Sequence, residues 1–157
     1  MVSMLLGIIY LGHTLTSIEK VASKPPLPVF KVSYASGLET EKLKVGEQKL
    51  LQVDIENTGD DLAEDMHIFI HFPEGFNLKP EPKYGYIIAP QGTKDKNYPN
   101  HVAAVYYNQE VIHIDVRMGL FVSIEAPKKE GTYTIPIELH ERKLGTTKYK
   151  LAIEVTS

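Results

Sequence analysis

The chain contains no cysteine and no tryptophan in 157 residues. Without thiols, disulfide staples, thiolate metal centres and cysteine nucleophiles are excluded. The same absence leaves the compartment open, because such a chain is at home on either side of a membrane. It also lacks a dominant charge: 17 Lys and Arg stand against 20 Asp and Glu, a formal net charge of −3. That argues against a basic nucleic-acid-binding face, and no nucleic-acid partner is expected. No glycine loop suited to cradling phosphate occurs. No serine sits in a Gly-x-Ser-x-Gly elbow, and Ser33, Ser36 and Ser123 lie in weak contexts for nucleophilic catalysis. After residue 20 no long segment carries the 3.6-residue apolar period of a helix. The whole chain is 43% hydrophobic and 24% charged, the composition of one globular domain.

Composition shifts near residue 20. Met1 to Ile18 holds no Asp, Glu, Lys or Arg, and its only ionisable side chains are Tyr10 and His13. Eighteen helical residues span roughly 27 Å, the lower edge of what a bilayer core needs. Residues 1–19 are therefore expected to form an apolar membrane-anchor helix, with Val2, Met4, Leu5, Leu6, Ile8, Ile9, Leu11 and Leu15 toward lipid. A cleaved signal peptide is the competing reading, with Val21 and Ser23 before a cut ahead of Lys24, but no cationic segment precedes the apolar run. A docked amphipathic helix is the third. An anchor implies a single-pass cell-membrane location. Lys20, Lys24 and Lys31 follow the segment, opposed only by Glu19, which leans the domain toward the cytoplasm. Residues 20–28 then form a proline-rich linker, in which Pro25, Pro26 and Pro28 favour an extended spacer. A docking peptide for a proline-binding domain is the other use of such a stretch.

Residues 29–157 alternate apolar and polar side chains. Leu51, Val53 and Ile55 form one apolar set; Met66, Ile68, Ile70 and Phe72 another; Ile112, Ile114, Val116 and Met118 a third. Tyr133, Ile135, Ile137 and Leu139, and then Tyr149, Leu151, Ile153 and Val155, repeat the pattern. A period of two with one wet face marks half-buried antiparallel strands. Turn residues punctuate the runs at Asn57-Thr58-Gly59-Asp60, Pro73-Glu74-Gly75, Pro90-Gln91-Gly92, Asn108-Gln109, Lys129-Glu130-Gly131 and Gly145. Further candidate strands are Val29 to Tyr34, Leu38 to Val45, Tyr84 to Ala89, Val102 to Tyr107 and Leu120 to Ile124. The expected fold class is all-β, an antiparallel sandwich of about 7–10 strands preceded by one N-terminal apolar helix. Pro136 lacks an amide donor and belongs at an edge or bulge.

Two local patterns carry a resemblance. Gly131-Thr132-Tyr133-Thr134-Ile135 resembles the tyrosine corner of immunoglobulin-like folds, with Ile135 where antibody domains place a cysteine. The stretch from Val53 to Phe76 resembles the hairpin of bacterial and archaeal Ig-like modules of the cell-adhesion-related (CARDB-like) type. There, Asn57 and Gly59 are read as tolerating a left-handed turn, Ala63 as starting the partner strand and Pro73 as ending it. The resemblance implies an Ig-like sandwich and a spacer or binding role without catalytic residues. It also departs from such modules in being one copy, not a tandem array.

Several clusters carry side chains capable of chemistry. His67 and His71 share a strand face but lie roughly 13 Å apart, so one metal would need His113 or His140 as well. All four alternate with core positions and are expected to point to solvent. Asp54, Glu56, Asn57, Asp60 and Asp61 are the densest acidic group, but the EF-hand spacing fails. No cofactor and no metal site is expected, and the chain is not read as an enzyme. The binding signal is tyrosine: Tyr84, Tyr86, Tyr98, Tyr106 and Tyr107, of nine in the chain, fall between 84 and 107 around a polar loop containing Lys94 and Lys96. Amphipathic rings beside an adaptable loop suit protein or sugar recognition. The expected partner-binding residues are Tyr84, Tyr86, Lys94, Lys96, Tyr98 and Tyr107. The expected function is a membrane-tethered interaction domain that binds another protein, touching the lipid bilayer through residues 1–19. An extracytoplasmic carbohydrate-binding or adhesion module is the alternative.

Overall fold

The computed structural model describes residues 24–79, 87–88 and 101–157. The strands are β1 (Phe30–Tyr34), β2 (Thr40–Lys44), β3 (Gln48–Asn57), β4 (Ala63–Pro73), β5 (Asn77–Lys79), β6 (Ile87–Ile88), β7 (His101–Ile112), β8 (Arg117–Glu125), β9 (Gly131–Glu141) and β10 (Gly145–Thr156). They build a four-stranded sheet in the order β1-β3-β8-β5 and a six-stranded sheet in the order β2-β10-β9-β4-β7-β6. The apolar sets identified by alternation supply the facing layers: Val53 and Ile55 from β3, Val122 and Ile124 from β8, Ile68 and Ile70 from β4, and Ile135 and Ile137 from β9 are all fully buried. Burying one face of each sheet against the other is what makes the sandwich stable.

The expected fold needs correction in three places. The described chain is all-β and contains no helix, so the apolar helix placed ahead of the sandwich has no counterpart in it. Residues 1–19, to which that helix was assigned, lie outside the described residues. No helix among the described residues is long and apolar enough to cross a membrane. Second, the sandwich is not wholly antiparallel, because β2 pairs with β10 in parallel, Thr40 beside Ala152 and Lys44 beside Thr156. Third, the apolar set from Ile112 to Met118 is not one strand. β7 ends at Ile112, the chain turns with Asp115 at φ 58°, and β8 begins at Arg117, leaving Ile114 and Val116 exposed.

The tyrosine corner is present: the Tyr133 hydroxyl donates to the Lys129 carbonyl at 2.8 Å, and Ile135 two residues on is fully buried. The hairpin limits are also as read, with β4 running from Ala63 to Pro73. Its turn works differently. Neither Asn57 nor Gly59 adopts positive φ. Asn57 is instead a fully buried hub, its Oδ1 accepting from the amides of Val29 and Gly59 and its Nδ2 donating to the carbonyls of Asp61 and Ile112. Gly59 is required by close approach, since a Cβ there would collide with the Leu27 carbonyl oxygen and the Val29 nitrogen. The end of the proline-rich stretch is thus strapped to the turn, with the Leu27 amide donating to Asp60 Oδ1 at 2.8 Å and the Thr58 amide to the Val29 carbonyl at 2.7 Å.

Pro136 sits in β9, a central strand, opposite Lys150 of β10. On its other side the β4–β9 ladder stops at Ile137, one residue short of the proline. The missing amide is therefore accommodated at a ladder end, without a sheet edge.

Candidate functional site

Chemistry-bearing side chains gather on the outer face of the six-stranded sheet. Strand parity decides this. In β4 the buried set Met66, Ile68, Ile70 and Phe72 points inward, which turns His67, Phe69 and His71 to the other face. In β9 the buried set Ile135, Ile137 and Leu139 does the same for Glu138 and His140. Register then builds rows across the sheet. Lys148 of β10, Glu138 of β9, Phe69 of β4 and Tyr106 of β7 are aligned in one, and Thr146, His140, His67 and Asn108 in the next.

Four rings on these rows touch in a zigzag. His67 stacks on Tyr106 with centroids 5.9 Å apart and planes 18° apart. Tyr106 meets Phe69 at 5.1 Å, and Phe69 meets His140 edge-on at 5.2 Å. The rings are locked by polar partners, with His67 Nδ1 at 2.7 Å from the Tyr106 hydroxyl and His140 Nδ1 at 2.8 Å from Thr146 Oγ1. Rings held at these separations interact favourably beyond their buried area, by about 0.5–1.5 kcal/mol per pair. The result is a pre-ordered aromatic surface in which His67 is exposed and Phe69, Tyr106 and His140 are half-buried.

Glu138 anchors the middle of the face. Its side chain is only 10% exposed, and Oε2 lies 3.4 Å from His71 Nε2 and 3.9 Å from His140 Nε2, while Oε1 is 3.3 Å from the Lys148 ammonium. A buried carboxylate needs such partners, because an uncompensated charge there is costly. His71 departs from expectation: it has outward parity, as read, but it is buried, not solvated. The two imidazoles reach the carboxylate from opposite ends, since His140 stands across from His67, four residues before His71. No group of three His, Cys, Asp or Glu side chains among the described residues could hold a metal ion. The acidic group of the hairpin is committed structurally. Asp60 takes the Leu27 amide, Glu56 pairs with Arg117, and the Lys143 ammonium, hydrogen-bonded to Asp61 at 2.6 Å, holds that carboxyl below its ordinary range.

Of the residues singled out from sequence, Tyr107 is described and lies in the core, its hydroxyl donating to the Phe121 carbonyl at 2.6 Å and so tying β7 to β8 of the opposite sheet. Tyr84, Tyr86, Lys94, Lys96 and Tyr98 lie outside the described residues. The short β6 pairs Ile87 with Tyr106 and Ile88 with Val105 beside β7 in the same sheet. Tyr106 belongs to the tyrosine signal of the sequence but not to the expected partner-binding residues, His67, His71 and His140 were considered only as metal ligands, and Phe69 and Glu138 were not singled out. The available signal was a phenylalanine at a polar-parity position of β4.

No family model matches the chain, and no curated protein matches it. Solved structures do. A Corynebacterium diphtheriae protein described as membrane anchored is similar at 13% identity with a TM-score of 0.52, over 87% of this chain and 37% of that one. The CARDB domain of a Pyrococcus furiosus protein, solved in complex with di-metal ions, is similar at 11% identity with a TM-score of 0.49, over 87% of this chain and 97% of that one. A non-cellulosomal cohesin from Archaeoglobus fulgidus shows 12% identity and a TM-score of 0.49, over 82% and 91% of the two chains. At these identities the likeness is one of fold. The two-sheet sandwich and the tyrosine corner agree with the Ig-like fold expected from the sequence, and the likeness to the Corynebacterium diphtheriae structure is one of fold alone.

Proposed function

We propose that this chain is a non-catalytic interaction domain that binds another protein through the outer face of its six-stranded sheet. The observation that supports it is the ring zigzag His67–Tyr106–Phe69–His140, an ordered aromatic surface turned away from the core. Rigid amphipathic rings supply contact area at low entropic cost, which is what interface anchors need. The polar groups among them are committed to one another, His67 to Tyr106, His140 to Thr146 and Glu138 to Lys148, an arrangement suited to holding shape and not to moving protons. Tyr84, Tyr86, Lys94, Lys96 and Tyr98 are proposed as further partner contacts, on the ground of composition: amphipathic tyrosines beside a polar stretch suit recognition. Location at a membrane is a separate proposal, resting on the charge-free composition of residues 1–18.

The binding proposal is tested with a photo-crosslinking residue in place of Thr134, exposed on β9, and in a control at Lys31, exposed on β1 of the other sheet. Irradiation in the native cell is expected to give discrete protein adducts from position 134 and not from 31. Adducts with glycan only, or none at 134, would sink the protein-binding reading. Fractionation of the full chain tests the location: recovery in the soluble fraction alone counts against a membrane.

A further inference from the structure

We infer that the occupant of this face is an acidic protein segment with an apolar anchor, seated across the lysines of β2 and β10 with its anchor on Phe69. The inference rests on the binding proposal above and adds the chemistry of the partner. Parallel register puts Lys42 beside Glu154 and Lys44 beside Thr156, and outward parity in β10 adds Lys148 and Lys150. All four lysines are exposed. Two are neutralised on the face itself: Lys42 lies 3.3 Å from Glu154, and Lys148 lies 3.3 Å from Glu138. Lys44 and Lys150 make no ion pair with a described residue. Glu47 also lies beside Lys44, its Oε2 accepting from the Lys44 amide at 2.8 Å, so four lysines stand against the carboxylates of Glu154, Glu138 and Glu47, an excess of one positive charge on a chain whose formal net charge is −3. Such a local reversal attracts a partner of opposite sign and sets its orientation.

The strip adjoins the rings, and this decides the class of partner. Lys148, Glu138 and Phe69 stand in one row on three neighbouring strands. Lys150, two residues further along β10, is thus about 12 Å from Phe69, two strand spacings across and two residues along, which four residues of an extended peptide span. A polypeptide can offer carboxylates and an apolar side chain at that separation. A sulfated polysaccharide offers only the charge.

The test is fluorescence anisotropy of the full chain with a short labelled peptide that alternates glutamate with threonine around one central phenylalanine. Saturable binding is expected, weakening at least tenfold in the Lys44→Glu/Lys150→Glu variant and falling as salt rises. Phe69→Ala should weaken it as well, with circular dichroism showing the fold retained. The inference is overturned if the peptide fails to bind, if both variants bind it as the wild type does, if a heparin oligosaccharide binds where the peptide does not, or if sedimentation shows a second copy of the chain on this face. Crosslinked protein adducts at position 134 without binding of the acidic peptide would remove the partner chemistry and leave the binding proposal standing. Loss of those adducts would remove the proposal itself.

Discussion

Gly59→Ala probes whether the chain entering the sandwich is fastened to it. The strap at Leu27 to Val29 is held by the Leu27 amide on Asp60 Oδ1, the Asp60 amide on the Leu27 carbonyl, the Thr58 amide on the Val29 carbonyl and the Val29 amide on Asn57 Oδ1. A Cβ at position 59 would stand 2.8 Å from the Pro28 carbonyl carbon and closer still to its neighbours, all of them backbone atoms that cannot rotate away. The strap must leave, or the turn must deform. Losing the four hydrogen bonds costs about 4 kcal/mol at about 1 kcal/mol each. Releasing the strap returns backbone entropy for the residues set loose, which offsets about half of that. Val29 is 55% exposed, but Pro28 is buried and Leu27 half-buried, so releasing the strap also uncovers apolar surface worth about 1 kcal/mol. The net expectation is about 3 kcal/mol, a fall in Tm of roughly 9–12 °C for a domain of this size. Gly145→Ala is the control: its φ is +72° with nothing within 4 Å of the added Cβ, so its cost, about 1 kcal/mol, comes from backbone conformation alone. Thermal unfolding gives the magnitudes, and amide exchange at Leu27, Thr58 and Asp60 gives the location. Gly59→Ala melting with the wild type while those amides stay protected would refute the argument.

Asn57→Asp keeps the shape of the hub but turns the donors that serve the Asp61 and Ile112 carbonyls into acceptors. It should cost about 3 kcal/mol in chemical denaturation, and a loss under about 1 kcal/mol would show the hub to be dispensable. Tyr34 is fully buried, its hydroxyl has no hydrogen-bond partner among the described residues, and burial together with the Glu41 charge pushes its ionisation far up. Tyr34→Phe should therefore leave Tm unchanged or raise it; a fall of several degrees would reveal a partner for the hydroxyl. Asp61 has a folded-state pKa below its unfolded value, so its contribution is present above the unfolded pKa and fades as pH falls through the folded one. Asp61→Asn should make the acid limb of the stability curve shallower below about pH 4, and an unchanged limb would show that the Lys143 pair carries no linkage.

The parts of the fold legible in the sequence are those governed by local rules. Alternation located most strands, because one buried face enforces a period of two, and Tyr133 identified its corner because the hydroxyl bond is made within a few residues. Ile114 and Val116 misled by continuing the apolar parity through a turn, where exposed apolar side chains are common. His71 shows the limit of parity, which gives the face a side chain points to but not what lies above it. The site was less legible for a related reason. Phe69 was visibly out of place on a polar parity, but its neighbours Tyr106 and Glu138 come from β7 and β9, and the register that aligns them is set by tertiary packing. Likewise, nothing local to Thr40–Lys44 announces a parallel pairing with the last strand.

That pairing also bears on how a partner attaches. β2 is an edge strand, and edges ordinarily invite another chain to pair. The Ala152 amide bonds to the Glu39 carbonyl and the Val45 amide to the Thr156 carbonyl, so alternate residues face β10 and the amides of Lys42 and Lys44 face outward. Both are already taken: Lys44 donates to Glu47 Oε2 at 2.8 Å, and Lys42 to Glu41 Oε1 at 3.3 Å. The Lys44 carbonyl is occupied too, by the Glu47 amide at 3.0 Å. An edge guarded by carboxylates repels an acidic strand, so an acidic partner belongs on the sheet face. Glu41→Ala/Glu47→Ala should uncover the two amides and produce concentration-dependent dimers in sedimentation, whereas Glu41→Gln/Glu47→Gln keeps the acceptors and should stay at the mass of the wild type. The glutamine variant should also bind the acidic peptide at least as well as the wild type, because it removes two nearby negative charges without opening the edge. An alanine variant that never dimerises would show that the carboxylates do not guard β2. A glutamine variant that loses the peptide would place the partner on the edge and take it off the face.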